Sequence, residues 1–169
     1  MAKSRGHEAL RRHRYSQAGL SYFLTLCTDG RRVILDSPSV SKCLRTEISA
    51  LENDGHWSVR AAVIMPDHLH LLIRLNAGLS LGQCVARLKT KTRGHLLTKS
   101  ARWQDNYYEH RLRPDEPIAP VLHYLHRNPY RQDLVPTDNV YPLFWLGPEE
   151  AAWFRPLLNQ DCPEPEWLR

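Results

Sequence analysis

The chain has 169 residues, a hydrophobic fraction of 42% and a mean hydropathy of −0.50, which together fit one folded domain with a core of its own. No apolar run approaches the roughly 18 residues of a membrane span, and no signal-peptide pattern follows the basic start. We therefore expect a cytoplasmic protein without a membrane partner. The four cysteines form no CxxC pair, so we expect neither a zinc site nor a disulfide framework.

The positive charge is concentrated in two segments. The net charge is +5, the first fourteen residues carry five cations and one acid, and residues 87–113 carry eight cations and two acids. The end of the chain, from residue 148, reverses the sign with five acids and two cations. Concentrated cations indicate a polyanionic partner whose binding depends on salt, although a solvated cationic surface explains the same pattern.

The first half of the chain predicts a strand, a helix and a hairpin. Residues 20–28 are rich in aromatic and β-branched side chains and stop at an Asp-Gly turn, which is typical of a strand. Residues 39–53 repeat apolar side chains every three or four positions, which predicts an amphipathic helix. Residues 57–65 and 68–75 are two further strands, joined by a turn at Pro66-Asp67.

The second half predicts two helices around a short strand. Residues 80–97 carry an amphipathic pattern, residues 103–113 hold too many aromatics for a plain loop, and residues 120–128 form a short helix that Pro129 should end. Strands joined by hairpins, with helices between them, indicate an α+β fold. We expect an antiparallel sheet with helices on one face, in a ferredoxin-like (split βαβ) arrangement. The expected divisions are a basic arm at 1–18, a domain at 19–142 and an irregular Pro/Trp-rich acidic tail at 143–169.

The triplet His68-Leu69-His70 is the most informative motif. Residues two apart in a strand face the same side, so both imidazoles should project together while Leu69 enters the core. Two convergent neutral imidazoles are two of the three or more ligands that a metal ion needs. An alternating pair of histidines in a strand is also often incidental.

The segment from His123 to Pro129 combines a phenol with polar groups. Tyr124 and Asn128 are four residues apart, so they share one face of a helix, with Arg127 nearby. A phenol ordinarily titrates near pH ~10, so it needs a metal ion or a base close by to attack at neutral pH. A tyrosine on a helix is more often a half-buried packing residue, and an Asn before Pro often only ends the helix.

Aromatic and cationic side chains alternate in residues 103–113. Aromatic rings beside guanidinium groups suit the stacking of unpaired bases and the binding of a phosphate backbone. Packing at the edge of the core explains the same aromatics. Glu109 and His110, in this segment, are candidates to support a metal site from behind its ligands.

Together these segments resemble the REP-associated tyrosine transposases, a branch of the single-tyrosine HUH transposase superfamily. The likeness spans roughly residues 11–131 and rests on the set of motifs in family order. The matching stretches are 11–35, 63–71 with its Pro-Asp-His-Leu-His, the helix around Lys89, 103–113 with its Trp-Gln and Glu-His, and 124–129 with Tyr-Leu-His-Arg-Asn-Pro.

The resemblance implies an HUH nuclease fold and an activity. It implies that His68 and His70 bind Mg²⁺ or Mn²⁺, that Tyr124 is the nucleophile, and that Asn128 stands where relatives place a third polar ligand, often Gln. The implied substrate is a single-stranded DNA hairpin of the REP type, cut and rejoined through a 5′-phosphotyrosine. Relatives of this branch indicate a monomer, and the sequence leaves a dimer open. The candidate DNA contacts are Arg11, Arg12, Arg14, Lys89, Arg102, Trp103, Tyr108, Arg111, Arg113 and Arg127.

Two other functions compete with this one. A histidine-triad nucleotide hydrolase needs a third alternating histidine, and that position is Leu72. A protein that binds REP hairpins but has lost catalysis would keep the basic segments without using Tyr124. Metal-dependent nicking of a labelled hairpin separates these alternatives, because a pure binder shifts the DNA without cutting it.

Overall fold

The computed structural model describes residues 16–158, 160 and 162–168, and its centre is one antiparallel sheet. The five strands lie in the order β4-β1-β3-β2-β5. Their bounds are β1 Ser21–Cys27, β2 Trp57–Ile64, β3 His68–Leu75, β4 Tyr108–Arg111 and β5 Phe144–Leu146. The helices are α1 Pro38–Asn53, α2 Leu81–Leu97, α3 Ala119–Arg131 and α4 Pro148–Phe154, with short 3-10 turns at Asp29–Arg31, Arg155–Leu157 and Glu166–Leu168.

The first six elements follow the order β-α-β-β-α-β, and β3 lies between β1 and β2. This is the ferredoxin-like, split βαβ arrangement that the sequence predicts, so the α+β fold class is confirmed. The bounds of α1 and β3 agree with prediction to within one residue. Helix α2 begins at a capping box, in which the Ser80 hydroxyl accepts from the Gln83 amide and the Gln83 side chain accepts from the Ser80 amide.

One face of the sheet packs against α1 and α2. The alternation of β1 and β3 turns Leu24, Leu26, Leu69 and Leu71 to this side, where they form a cluster with the apolar stripes of both helices. The helices also contact each other. The two predicted helices α1 and α2 therefore lie on one face of the sheet, as expected.

The opposite face is covered as well, by α3 and α4. Phe23, Val63 and Leu72 project to this side and pack against Leu122 and Leu125 of α3. Phe154 of α4 is fully buried in the same cluster. The sheet therefore has two apolar faces, and the helices lie on both, because a sheet with apolar side chains on both sides must cover both.

Two local predictions are wrong. Helix α3 does not end before Pro129 but runs through it to Arg131. Pro129 stands in the last turn, so its missing amide hydrogen and its ring disturb only the end of the helix. The segment 143–169 is not an irregular tail outside the domain. It adds β5 to the edge of the sheet beside β2, and Gly147 then allows the close approach to the Val59 carbonyl that a Cβ would prevent.

No helix in the described ranges is both long enough and apolar enough to cross a membrane.

Candidate active site

The two histidines of β3 lie side by side on the face that α3 covers. Alternation along the strand places His68 and His70 on one side with Leu72, and their ring centroids are 4.5 Å apart. Both side chains are buried, with 5% and 4% of their surface exposed. The position of the pair near the start of β3 brings it to one end of the sheet.

His70 presents one ring nitrogen to the site. Its Nδ1 is 2.8 Å from the Thr25 hydroxyl on the neighbouring strand, and the register pairs these two residues directly. Its Nε2 is buried and has no hydrogen-bond partner among the residues that the structure describes. Burial lowers the pKa of His70 well below its ordinary value, and the adjacent His68 adds to the effect. The ring is therefore neutral at pH 7, and with Nδ1–H donating to Thr25 its Nε2 carries a lone pair.

His68 is held from behind by Asp67. The His68 Nδ1–H donates to Asp67 Oδ1 at 2.6 Å, so Nε2 carries the lone pair. Burial lowers the pKa of His68, and the hydrogen bond to Asp67 opposes that change. The turn that carries Asp67 is itself fixed, since the Thr28 amide donates to the Asp67 carbonyl at 3.0 Å. Arg31 lies 3.4 Å from the other carboxylate oxygen of Asp67.

Tyr124 meets this pair from α3. The Tyr124 and His70 ring centroids are 5.5 Å apart in an edge-on arrangement. Phe23 packs against both rings, and its ring centroid is 6.0 Å from that of Tyr124 and 5.2 Å from that of His70. Tyr124 is partly buried, whereas its neighbours Leu122 and Leu125 are fully buried in the core. The structure thus brings an imidazole pair and a phenol to one place, although they are more than fifty residues apart in sequence.

Asn128 lies one helical turn beyond Tyr124 and is 6% exposed. Its Oδ1 accepts a long hydrogen bond of 3.4 Å from Gln132. Among the described residues no group of three or more His, Cys, Asp or Glu side chains could hold a metal ion. The histidine pair nevertheless fits the role of two metal ligands, because a buried imidazole nitrogen without a partner is costly unless something binds it. A third ligand would have to come from another chemical group, such as an amide oxygen.

Two of the predicted DNA contacts have structural roles. Lys89 donates through Nζ to the carbonyl oxygens of Gln104 at 2.7 Å, Asp105 at 3.3 Å and Asn106 at 3.2 Å. Trp103 is 8% exposed, packs in the cluster under α1 and α2, and donates its indole N–H to Thr92. Both face the protein, so the open stacking surface that the sequence suggests at Trp103 does not form.

The other candidate contacts are spread over the surface. Arg102 is exposed and pairs with Asp29, and Tyr108 is 46% exposed on the same face as the histidines. Arg127 donates to the Gln160 carbonyl at 2.8 Å. Arg111 and Arg113 are exposed. Arg11, Arg12 and Arg14 of the basic arm lie outside the described residues.

The structure gives other neighbours to the two residues expected to support the metal site. Glu109 is paired with Leu24 in the sheet, and opposite residues point to the same side, so it faces away from the histidines. His110 lies on the histidine side but stacks on Trp167 at 3.8 Å and hydrogen bonds to Glu116 at 2.9 Å. The supporting contacts to the imidazoles come from Asp67 and Thr25 instead.

Sequence reasoning missed three residues that build the site. Asp67 directly precedes His68, and a carboxylate next to a candidate ligand is a signal of a supporting contact. From the sequence alone, Asp67 is assigned only to the turn between two strands. Thr25 and Phe23 belong to another strand, and only the register of β1 against β3 brings them to His70. No local pattern in the sequence identifies such a partner.

The comparisons with known proteins agree with this architecture. A family model described as "Transposase IS200 like" matches residues 16–128, well over half of the chain. No curated protein sequence matches the chain. Among solved structures, the chain is similar to a REP-associated tyrosine transposase bound to a REP hairpin, with a TM-score of 0.64 and 22% identity over 85% of this chain and 82% of the other.

Two further solved structures are similar to lesser degrees. A putative transposase from Deinococcus radiodurans has a TM-score of 0.47 and 17% identity over 83% of this chain and 100% of its own. A bacterial tRNA(His) guanylyltransferase-like protein in complex with GTP has a TM-score of 0.50 and 9% identity over 76% of this chain and 70% of its own. At these identities the likeness to solved structures concerns the fold alone.

Proposed function

Because the chain belongs to the IS200-like transposase family, we propose that it is a metal-dependent single-strand DNA endonuclease and transposase that cuts and rejoins DNA through Tyr124. Membership of the family establishes a DNA-processing protein. The single tyrosine, the metal ion and the hairpin substrate are the parts that we propose. The observation that carries them is the 5.5 Å approach of the Tyr124 ring to His70, whose buried Nε2 has no partner in the described part of the chain.

The metal-binding role falls to His68 and His70, with Asn128 as the proposed third ligand. Mg²⁺ or Mn²⁺ bound there would polarise the scissile phosphate and stabilise the charge that develops in the transition state. The chain prepares the two imidazoles for this role. Asp67 and Thr25 fix their orientation, and burial keeps them neutral and able to donate a lone pair at neutral pH.

The proposed covalent step takes place on Tyr124. Its phenolic oxygen forms a bond to the phosphorus in line with the bond that breaks, and the 3′ oxygen leaves. The proton lost by the phenol is balanced by the proton gained by the 3′ oxygen, which becomes a free hydroxyl. The product is a 5′-phosphotyrosine, which keeps the energy of the broken phosphodiester. Rejoining by another 3′ hydroxyl therefore needs no nucleotide cofactor.

The proposed substrate is a REP-like DNA hairpin with single-stranded flanks. The basic segments support a nucleic acid partner, and the solved structure with a TM-score of 0.64 is a transposase bound to a REP hairpin. One nucleophilic tyrosine in each chain makes one covalent cut at a time. We expect a monomer, so complete strand exchange would take two chains or two rounds of cutting.

The test is metal-dependent cleavage of a REP-type hairpin oligonucleotide labelled at its 3′ end. The wild-type chain should transfer the label to the protein when Mg²⁺ or Mn²⁺ is added. Tyr124→Phe should abolish this transfer while hairpin binding persists, since only the hydroxyl is removed. Tyr130→Phe is the matched control, because Tyr130 lies on the same helix and donates its hydroxyl to the Asn139 carbonyl.

Cleavage that survives in Tyr124→Phe would refute the role of this tyrosine. A wild-type chain that shifts the oligonucleotide without cutting it under any of these conditions would support the inactive hairpin binder instead. A histidine-triad hydrolase is disfavoured by the fold, since Leu72 occupies the third alternating position and is fully buried.

A further inference from the structure

A cleft lies between α2 and the segment 102–105, outside the histidine and tyrosine site. Its volume is about 470 Å³, within the range of roughly 300–1,000 Å³ typical of small-ligand pockets. The polar residues that line it are Lys89, Thr90, Arg93, Arg102, Gln104 and Asp105. Leu97 and Trp103 supply apolar lining. We call it the α2 cleft.

One wall of the α2 cleft is held rigidly. Lys89 crosses from α2 and donates to three successive carbonyl oxygens of residues 104–106. At the same time the Asp29 amide donates to the Arg102 carbonyl at 2.8 Å, and the Gln104 amide donates to the Cys27 carbonyl at 2.9 Å. The main chain of this wall is thus fixed on both sides. A binding surface that is already ordered loses little conformational entropy when a ligand arrives.

The groups in the cleft match the parts of one nucleotide. Arg93 is an exposed guanidinium group, which suits a phosphate. Arg102 is exposed as well, but its guanidinium group already pairs with Asp29. Leu97, which is 53% exposed, offers apolar contact for a base, and the buried Trp103 packs behind this wall. Gln104 can donate and accept at the edge of a base, whereas the Asp105 carboxylate only accepts. A carboxylate that only accepts favours bases with an exocyclic amino group, which adenine, cytosine and guanine have. Thymine offers only its N3–H, which lies between two carbonyl oxygens that a carboxylate repels.

The cleft is close to the proposed site of cleavage. The Gln104 main chain hydrogen bonds to Cys27, and Cys27 is paired in register with His68 on the next strand. Two strand spacings, roughly 10 Å, therefore separate the backbone of this wall from that of His68. A DNA strand that leaves the cleft around the end of the sheet reaches the histidines within a few nucleotides.

We infer that the α2 cleft binds one unpaired nucleotide of the DNA strand near the cut, and that Asp105 selects a base with an exocyclic amino group. This inference rests on the proposed function, because it takes single-stranded DNA as the substrate. It adds a second point of recognition, set apart from the histidines and Tyr124. The cleft then contributes sequence preference and the site on the histidine face contributes chemistry.

The experiment is a binding selection with hairpin oligonucleotides whose single-stranded flanks are randomised. It uses the full chain with Tyr124→Phe and no added metal, so that cleavage does not disturb the pool. The selected pool should be depleted of thymine at one flank position, and adding Asp105→Ala should remove that bias. Asp115→Ala, which removes another exposed acid from the loop after β4, is the matched control and should keep the bias.

A second pair of variants tests the phosphate contact. Arg93→Ala should weaken binding and lower the slope of log affinity against log salt by about 0.7, as expected for one lost single-strand phosphate contact. Lys91→Ala removes an exposed cation two residues earlier on α2 and should leave the slope unchanged. Thermal unfolding of each variant shows whether the change is confined to the surface.

The outcomes separate this inference from the proposed function. A flank preference that persists in Asp105→Ala, or the absence of any preference in the pool, overturns the inference. If the protein cleaves through Tyr124 but shows neither effect, the inference about the α2 cleft is refuted and the proposed function stands. If it shows both effects but never cleaves, the proposed function is refuted and the inference stands. If it binds none of the pool, both are refuted.

Discussion

At the residue scale, the partner of each imidazole decides which ring nitrogen faces the site. Asp67 and Thr25 each contact an Nδ1, at 2.6 Å on His68 and 2.8 Å on His70. On both rings Nε2 is therefore the nitrogen that remains for a metal ion. The Asp67 carboxylate and the Thr25 hydroxyl orient their rings in different ways, because a carboxylate can only accept a hydrogen bond whereas a hydroxyl can also donate one. The hydroxyl of Thr25 is thus the less constrained of the two supports, and its removal is informative.

Thr25→Val should weaken the binding of Mn²⁺ by about 10- to 100-fold, the usual effect of losing a partner behind a metal ligand. Valine keeps the shape and the strand preference of threonine, so the sheet should fold unchanged. The measurement is calorimetric titration of the full chain with Mn²⁺. Thr25→Ser keeps the hydroxyl and should stay near the wild-type affinity. Equal affinities for the valine and serine variants would show that this hydroxyl does not orient His70.

At the scale of elements, main-chain groups between α2 and β4 decide what the basic residues can do. Lys89 is one of the eight cations of residues 87–113, and a charge count treats it like the others. In the folded chain its ammonium group binds three carbonyl oxygens of the segment that leads into β4. It therefore orders a loop beside the site, and the exposed arginines are better placed for DNA.

Lys89→Met should lower the free energy of unfolding by about 1–3 kcal/mol, because it leaves hydrogen bonds to a charged group unmade. Amide exchange in residues 104–107 should become faster, since the segment loses its link to α2. The salt slope of hairpin binding should not change. Lys91→Met removes the same charge from an exposed position and should leave both stability and exchange near wild type. A reduced salt slope with unchanged exchange in Lys89→Met would show a phosphate contact instead.

Tyr141 links the segment after α3 to the sheet, and it makes stability depend on alkaline pH. Its hydroxyl donates to the Ile64 carbonyl at 2.8 Å, and burial raises its pKa to about 12, with a smaller contribution from Asp36. In the unfolded chain a tyrosine titrates near pH ~10. Between these two values the unfolded state loses the proton and the folded state keeps it, so stability falls as pH rises.

Urea unfolding at pH ~9 and pH ~11 should show this loss in the wild-type chain and a smaller one in Tyr141→Phe, because phenylalanine does not titrate. Tyr130→Phe serves as the comparison, since it removes a hydroxyl that bonds to an exposed turn. If Tyr141→Phe loses as much stability over this interval as the wild type, the buried hydroxyl does not cause the effect.

At the scale of the whole molecule, the described residues of the segment 143–168 complete the domain. Strand β5 pairs with β2, Phe154 is fully buried, and Glu150 forms a 2.6 Å ion pair with Arg60 of β2. Trp167 lies on the face of the sheet that carries the histidines, where its ring centroid is 5.3 Å from that of Phe23. The core under Tyr124 thus joins Phe23 of β1 to side chains of the C-terminal segment, and it should unfold in one step with the sheet.

Phe154→Ala should destabilise the protein by about 3–5 kcal/mol, the usual effect of removing a buried aromatic ring from a core. Circular dichroism and tryptophan fluorescence should report one coincident transition, because α4 and the sheet share a cluster. Trp153→Ala, its 40% exposed neighbour, should cost less. A near-zero effect of Phe154→Ala, or a separate early transition for the C-terminal segment, would show that this segment is a tail outside the domain, as the sequence predicts.

The sequence by itself determined strands β1 to β3, the main helices and the identity of the candidate chemical groups. Alternation in β1 and β3 and the apolar repeat of α1 are local patterns, because they follow from the geometry of one element. The same rule placed His68 and His70 on one side of a strand. The resemblance then pointed to Tyr124, and membership of the transposase family is now established.

Only the tertiary structure decided what each of these groups contacts. The pairing of Thr25 with His70, the use of Lys89 to order a loop and the burial of Trp103 depend on strand register and helix packing. Those contacts join residues far apart in the chain, and their energies depend on burial that no local window contains. For the same reason the C-terminal segment, irregular by composition, became a strand and a helix once a sheet edge and an apolar face were there to receive it.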